Sequence, residues 1–183
     1  MSGYLITDDL NNIENRFNIS LGHTSKSETE DATSYYPQFE HSVRSEASAM
    51  SQHYELFYCL EKSIRKLISE ALSESEGSKW WEGDKIPTNI KDEVNKRVKK
   101  EIDNGITQRS DFMIDYTTFG ELSVIITSNW NIFGTIFNSR RAVEKVMSSL
   151  NMLRGPIAHC CPMTEDEVDR LLLTVKDWFR IMS

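Results

Sequence analysis

The segment SRRAVEKVMSSLNMLRGPIAH, residues 139–159, decides the fold class because most of it repeats apolar residues along one helix face. These residues recur at steps of three or four: Val143, Val146, Met147, Leu150 and Leu153. Such steps are the period of an amphipathic α-helix, whose apolar stripe faces a core. Ser139 stands just before the helical residues, where its hydroxyl can accept a backbone N–H. The spacing therefore predicts a helix from Arg140 to Arg154.

The rest of the chain from about residue 50 has the same helical character. An apolar stripe runs from Phe57 to Leu72, and Gly77 ends that zone. With the segment above, five zones show helical spacing: about 50–76, 88–102, 119–133, 140–154 and 164–182. Short connectors between helical zones favour neighbouring helices of opposite direction. The sequence therefore predicts an all-α antiparallel bundle of about five helices, with no sheet.

Polar residues mark where several of these helices should begin. Thr118 and Thr164 are each followed three residues later by a glutamate, the pattern of a capping box. Thr88 is the expected N-cap of the second zone. Between the second and third zones, residues 111–116 alternate loosely in polarity and could be extended.

Residues 1–45 differ in composition from residues 46–183, which we take as the helical domain. Residues 22–34 contain almost nothing apolar, so we expect a flexible acidic tail. Leu10, Ile13 and Phe17 recur at helical spacing behind Thr7, which predicts a short amphipathic helix in that tail. Such a helix could dock on the domain or on a protein partner.

Charge and hydropathy exclude several classes of protein. The formal net charge is −7, and within residues 1–50 eight acids face three bases. No strongly basic face remains that could coat duplex DNA, so any nucleic-acid contact must be local. No apolar run approaches the roughly 20 residues that cross a bilayer, and the N-terminus lacks the pattern of a secretory signal. We therefore expect a cytoplasmic protein without a membrane segment.

The cysteines and histidines give no metal-binding pattern. Cys59, Cys160 and Cys161 are odd in number, which argues against a disulfide framework. Adjacent cysteines also lack the usual zinc spacing. We expect buried or half-buried free thiols, no metal and no cofactor.

The end of the fourth zone, Arg154-Gly155-Pro156-Ile157-Ala158-His159, is where chemistry could reside. Proline disfavours helical geometry in the residue before it, so we expect a break at Gly155 and a fresh turn from Pro156. In an unbroken helix, Arg154 and His159 would point about 140° apart. A kink between them would let both side chains face one cleft.

An arginine and a histidine together suit phosphodiester chemistry. A guanidinium grips a phosphate through two parallel hydrogen bonds, and an imidazole exchanges a proton near neutral pH. No carboxylate cluster accompanies Arg154 and His159 in the sequence. The reaction that fits is RNA cleavage without a metal, in which the 2′-hydroxyl attacks its own phosphate. DNA lacks that hydroxyl and would be spared.

The spacing Arg154-x4-His159 resembles the Arg-x4-6-His signature of the HEPN superfamily. The wider context resembles one subgroup, first associated with a nuclear RNA-surveillance nuclease and also found in bacterial defence proteins. The resemblance covers roughly residues 50–183 and rests on further residues: Tyr54, Phe57, Leu60, Trp80, Trp81, Pro87, Thr118, Phe119 and Trp130.

This resemblance implies a homodimer in which two Arg/His pairs meet across the interface. Arg154 would hold the scissile phosphate and His159 would act as base or acid. The protein would then serve as a toxin or phage-defence effector acting on RNA. One departure is Gly155, since many active members carry Asn, Asp or His after the arginine. The alternative is therefore a non-catalytic HEPN-like module that dimerises and binds a protein or RNA.

Other readings of these residues are structural. His159 could cap a helix end, and Arg154 could complement the negative end of its helix. Arg140, Arg141 and Lys145, at the opposite end of the same zone, are weak candidates for a distal RNA contact. Trp80 and Trp81 are expected to pack under a loop, and the lysines of the second zone to form a solvated face.

Overall fold

A computed structural model describes residues 38–182, and within this range the fold is all-α, as the sequence predicts. Six α-helices follow one another: α1 His41–Glu76, α2 Thr88–Asp103, α3 Phe119–Ser128, α4 Trp130–Phe133, α5 Arg140–Ala158 and α6 Glu165–Arg180. A 3₁₀ helix, Met113–Tyr116, lies between α2 and α3. The described residues form no β-strand, only an isolated bridge between Phe137 and Met182. The amphipathic segment at residues 10–17 and the polar stretch 22–34 lie outside the described residues.

The contacts divide the chain after Arg44, and the core and groove lie wholly in the unit that begins at Ser45. Helix α5 packs on both α3 and α6, so it occupies the centre of the bundle. The core draws on every α-helix, and α1 alone supplies Ile64, Ile68 and Leu72, all fully buried. Burying such a side chain stabilises the fold by about 1.5–3 kcal/mol.

Aromatic contacts connect helices that are distant in sequence. The rings of Phe57 in α1 and Phe119 in α3 lie 5.2 Å apart, and those of Phe137 and Trp178 lie 5.1 Å apart. Trp80 and Trp81 meet edge to face at 5.5 Å and pack against the core, as expected for residues under a loop. No helix in residues 38–182 has the combination of length and apolar character needed to span a membrane.

Several segments differ from their predicted structure. Helix α1 begins at His41, within the residues taken as the tail and before the predicted start near residue 50. The zone 119–133 is divided at Asn129, whose side-chain amide donates to the carbonyls of Ile125 and Lys85, each at 2.8 Å. These bonds fix Asn129 outside helical geometry, so α3 ends and α4 begins there. The extended structure expected for residues 111–116 is wrong, because the Asp115 N–H bonds the Phe112 carbonyl in a 3₁₀ turn.

Three of the four predicted caps are confirmed. Thr118 and Glu121 form a full capping box, and Ser139 accepts the Ala142 N–H. Thr164 accepts the Glu167 N–H, while its own hydroxyl donates to the Glu167 carboxylate. The prediction for Thr88 is wrong, since this residue is already helical and Pro87 takes the cap position without a side-chain bond.

Two arginines fix the segment between α2 and α3 against its neighbours. Arg65, a buried residue of α1, donates to the Thr117 hydroxyl at 2.7 Å, to the Thr117 carbonyl at 3.0 Å and to the Ile114 carbonyl. Arg97 of α2 donates to the Tyr116 carbonyl at 2.9 Å and to both oxygens of Glu121 in α3 at 2.7 and 2.8 Å. These bonds hold the 3₁₀ segment beside α1, where it forms one wall of a groove.

Candidate active site

The end of α5 is a continuous helix, so the break predicted at Gly155 is wrong. The helix runs to Ala158 with Pro156 inside it, and the His159 N–H bonds the Gly155 carbonyl at 3.0 Å. The reason lies in glycine itself. The proline ring clashes mainly with the Cβ and N–H of the preceding residue, and Gly155 has no Cβ to meet it.

The chain reverses direction later, at Cys160. His159 is the C-terminal cap of α5, and Cys160 adopts a left-handed conformation with φ 54°. The Cys161 N–H then closes back on the Pro156 carbonyl at 2.9 Å. This places His159 in the exposed last turn of the helix.

A groove of about 690 Å³ opens between α1, the 3₁₀ segment and the end of α5. Arg154 lines it together with three other cations, Lys62, Arg65 and Arg109, while Glu61 and Asp115 are its acids. Four cations against two acids make the groove locally positive in a chain whose net charge is −7. A local positive groove of this kind suits an anionic ligand.

Arg154 is held in this groove by Glu61. Its Nε lies 3.3 Å from Glu61 Oε2, and 42% of the arginine side chain remains exposed. No other described residue bonds the Arg154 guanidinium, so its two terminal nitrogens are available to a ligand. The second oxygen of Glu61 accepts a hydrogen bond from Arg65. A line of contacts thus runs from the 3₁₀ segment through Arg65 and Glu61 to Arg154.

The structure separates the two residues that the sequence analysis placed in one cleft. Arg154 lines the groove, whereas His159 does not, although its neighbours Ala158 and Cys160 do. Because α5 continues to Ala158, the predicted kink that would bring the two side chains together is absent. His159 is exposed beside the end of the groove. Within one chain, the groove is therefore lined by Arg154 and not by His159.

The weaker RNA-binding candidates lie at the other end of α5. Arg140, Arg141 and Lys145 are exposed, and Arg140 pairs with Glu144 at 3.1 Å. Fourteen residues of helix separate Arg140 from Arg154, a distance of about 21 Å along the axis. The structure does not bring these three residues to the groove.

The remaining cations of the groove have partners. Lys62 lies 3.7 Å from Asp115. Arg109 stacks 5.0 Å above the Tyr116 ring and pairs with Glu101. The hydrogen bond from Arg109 holds the pKa of Glu101 below its ordinary value, despite the opposing effect of desolvation. Arg154 and Lys62 are thus the groove cations with a single charged partner each, and Arg154 is the one of the two that lies on α5.

Glu61 was missed by the sequence analysis. Its spacing of four residues from Arg65 indicates a helical ion pair, which is common and carries no functional signal. Nothing in the sequence shows that Glu61 also meets Arg154, 93 positions further along. That contact depends on how α1 and α5 pack.

The three cysteines are free and exposed, which corrects the expectation of buried or half-buried thiols. Cys59 lies on the surface of α1, and Cys160 and Cys161 follow the end of α5. All three are therefore outside the apolar stripes. Among residues 38–182, no group of three or more His, Cys, Asp or Glu residues is arranged to hold a metal ion.

Comparison with known protein families gives a match over most of the chain. The family model described as Swt1-like HEPN matches residues 55–183, a range that includes Glu61, Arg154 and His159. No curated protein and no solved structure matches the chain.

Proposed function

The chain belongs to the Swt1-like HEPN family, and from this premise we propose that it is a metal-independent endoribonuclease. The observation that carries the proposal is the state of Arg154. Its guanidinium is anchored at Nε by Glu61 and keeps its terminal nitrogens open in a positive groove. A guanidinium in that state can bind a phosphate through two parallel hydrogen bonds.

We assign the proton-transfer role to His159. The 2′-hydroxyl of the substrate gives up its proton and attacks the adjacent phosphorus. The bond from phosphorus to the 5′-oxygen of the next nucleotide then breaks, and that oxygen takes up a proton. The products are a 2′,3′-cyclic phosphate and a 5′-hydroxyl. An exposed imidazole can act as the base or the acid in these transfers.

The separation of Arg154 and His159 within one chain makes a second copy part of this proposal. We infer a homodimer in which the two helix ends meet and the His159 of each chain approaches the Arg154 of the other. Met152, about two helical turns before His159, is 76% exposed. Met152 also lines a cleft of about 470 Å³ whose other apolar residues are Leu153, Pro156, Pro162 and Met163 and whose polar rim is Ser149, Glu167, Arg170 and Thr174. An exposed apolar patch next to a charged site is typical of an interface.

The cellular role we infer is that of a toxin or phage-defence effector acting on RNA. The motif Arg154-Gly155-Pro156-Ile157-Ala158-His159 supports it, through its resemblance to HEPN subgroups found in defence proteins. Residues 1–45 would then bind a protein partner that controls the activity.

A second candidate function is a non-catalytic module that dimerises and binds RNA or protein. His159 outside the groove favours it, as does Gly155 in place of the polar residue that many active members carry. In this case Arg154 would bind a phosphate without promoting its cleavage.

The test is RNA cleavage by the purified full chain in the presence of EDTA. We expect cleavage of RNA but not of DNA with the same sequence. Arg154→Ala and His159→Ala should each reduce the rate by at least about a hundredfold. Arg141→Ala, an exposed arginine at the far end of α5, is the matched control and should retain full activity.

The outcomes separate the two candidates. Cyclic-phosphate ends in the products support the nuclease. If the wild type binds RNA but leaves it intact, and Arg154→Ala weakens binding while His159→Ala does not, the non-catalytic module is correct.

A further inference from the structure

We propose that Tyr54 and Tyr58 form a stacking subsite for an unpaired base, next to the phosphate bound by Arg154. The proposal rests on the function proposed above, and it names residues that recognise the substrate rather than cleave it. Both tyrosines line the same groove as Arg154. The subsite would select RNA with unpaired nucleotides beside the cleaved bond.

The two tyrosines lie together on the surface of α1. They are four residues apart on the helix, and their ring centroids are 6.1 Å apart with an angle of 35° between the planes. They are 60% and 55% exposed, respectively. Neither hydroxyl bonds another described residue. The pair thus presents two large aromatic surfaces whose outer faces are open.

Core packing does not explain these exposed rings. Phe57, Leu60 and Ile64 carry the buried stripe of α1 and are at most 4% exposed. Tyr54 and Tyr58 lie off that stripe, so their rings do not fill the core. An exposed aromatic pair in a groove is a typical platform for nucleobases, because every base has a π face.

Charged residues follow the two tyrosines on this face of α1, where the phosphate of a bound nucleotide would lie. From Tyr58, steps of three and four residues lead to Glu61 and Lys62, which also line the groove. Glu61 holds Arg154 across the groove. The rings of α1 are therefore followed by Lys62 on the same wall, and Arg154 faces this wall from across the groove. Single-strand binding grooves likewise combine aromatic rings with cations.

The groove favours an unpaired strand over a duplex for a physical reason. A base inside a duplex has both faces covered by its neighbours and cannot stack on a side chain. The chain also lacks the strongly basic surface that a duplex needs, given its net charge of −7. A protein segment is the competing occupant of the groove. If the tyrosines bind protein and not bases, the groove should bind intact and abasic RNA with equal affinity.

The test measures binding of short fluorescent RNAs by anisotropy, with the full chain carrying His159→Ala so that no RNA is cut. The probes are a single strand, the matching duplex, and the same strand with three abasic nucleotides at its centre. Tyr54→Leu combined with Tyr58→Leu removes the rings, and Tyr54→Phe combined with Tyr58→Phe is the matched control that keeps them.

We expect the leucine pair to weaken single-strand binding by about tenfold or more, and the phenylalanine pair by less than about twofold. Abasic RNA should bind the parent and the leucine pair equally weakly. If the leucine pair binds the intact strand as well as the parent does, or loses equal affinity for abasic RNA, the subsite is absent.

This outcome is distinct from failure of the proposed nuclease. Ring-dependent binding without cleavage by the wild type leaves the subsite standing and removes catalysis. If the leucine pair binds and cleaves RNA as the wild type does, the nuclease stands and the subsite is absent. Circular dichroism of each variant shows whether the bundle is intact. If the leucine pair fails to fold, the parent's affinity for the intact strand against the abasic strand decides, because equal affinities would mean that no base is stacked.

Discussion

Glu61 of α1 and Arg154 of α5 form an ion pair, with Glu61 Oε2 3.3 Å from Arg154 Nε, while the other oxygen of Glu61 accepts from Arg65. One carboxylate therefore joins a buried arginine, which anchors the 3₁₀ segment, to the arginine proposed to bind the phosphate. The pair is mostly shielded on the glutamate side, where 18% of the side chain is exposed. Its loss should affect both folding and catalysis.

We expect Glu61→Gln to separate these effects. Removing the charge leaves Arg65 without its ionic partner, and the free energy of unfolding should fall by about 1–3 kcal/mol. RNA affinity should stay equal or rise, because an acid leaves the groove, while the cleavage rate falls about tenfold because Arg154 is less well oriented. Urea unfolding, binding and single-turnover cleavage measure the three quantities.

The control for this variant is Glu70→Gln on the same helix. Glu70 pairs with Lys66 at 3.7 Å, but both side chains are more than half exposed, so stability should change by less than about 0.5 kcal/mol. If both glutamine variants behave alike in cleavage, Glu61 has no positioning role.

The dimer should depend on the apolar end of α5. Met152→Asp places a charge on a side chain that is 76% exposed, and we expect light scattering to show a monomer with lost nuclease activity. Ile106→Asp is the matched control, since Ile106 is 60% exposed and lies in the loop after α2. A Met152→Asp protein that stays dimeric would place the interface elsewhere.

The effect of replacing Gly155 on the free energy of unfolding should depend on Pro156, the residue after it. Apart from its chain neighbours and the nearby backbone of α5, a Cβ at Gly155 meets no atom within 4 Å. Only the Pro156 ring then opposes the change. We expect Gly155→Ala to lower stability by about 1 kcal/mol, because the helix end must shift away from the ring.

The effect of Gly155→Ala on stability should change sign when the proline is absent. In a Pro156→Ala background, Gly155→Ala should raise the free energy of unfolding by about 1 kcal/mol, the usual gain of alanine over glycine in a helix. Thermal unfolding of the four proteins gives this coupling. Equal effects in the two backgrounds would mean that the absence of a Cβ is not what lets α5 continue.

Acid should destabilise the protein partly through Glu121. Burial raises the pKa of this carboxyl, but hydrogen bonds from Arg97 and Thr118 outweigh it, so the pKa lies below its ordinary value of 4.5. A lowered pKa means that Glu121 stabilises the fold fully above about pH 4.5, and that this contribution is lost as the pH falls through the folded value.

We therefore expect the urea midpoint of the wild type to fall below about pH 4.5, and to fall less in Glu121→Gln. Arg97→Gln should weaken the pH dependence in the same way, because it removes the main donor to the carboxylate. A pH profile in either variant that parallels the wild type over this range would contradict the assignment.

Local patterns were sufficient where neighbouring residues decide the structure. The stripe from Val143 to Leu153 predicts most of α5, and the Thr118–Glu121 pair marks the start of α3, because both depend on spacing along a single helix. They were insufficient at Asn129, where the predicted helix is divided, and at Thr117, which ends the segment predicted to be extended. These residues are held by Lys85 and by Arg65, which are distant in sequence.

The sequence by itself determined the helical class and the starts of α3, α5 and α6, and it predicts Arg154 and His159 as the site residues. Only the tertiary structure decided that α5 continues through Pro156, that Arg154 meets Glu61, and that His159 lies outside the groove. The physical reason is the distance along the chain between the residues that interact. Helical periodicity and capping are set within about four residues. The orientation of a side chain in a groove depends on how separate helices pack, which no local pattern contains.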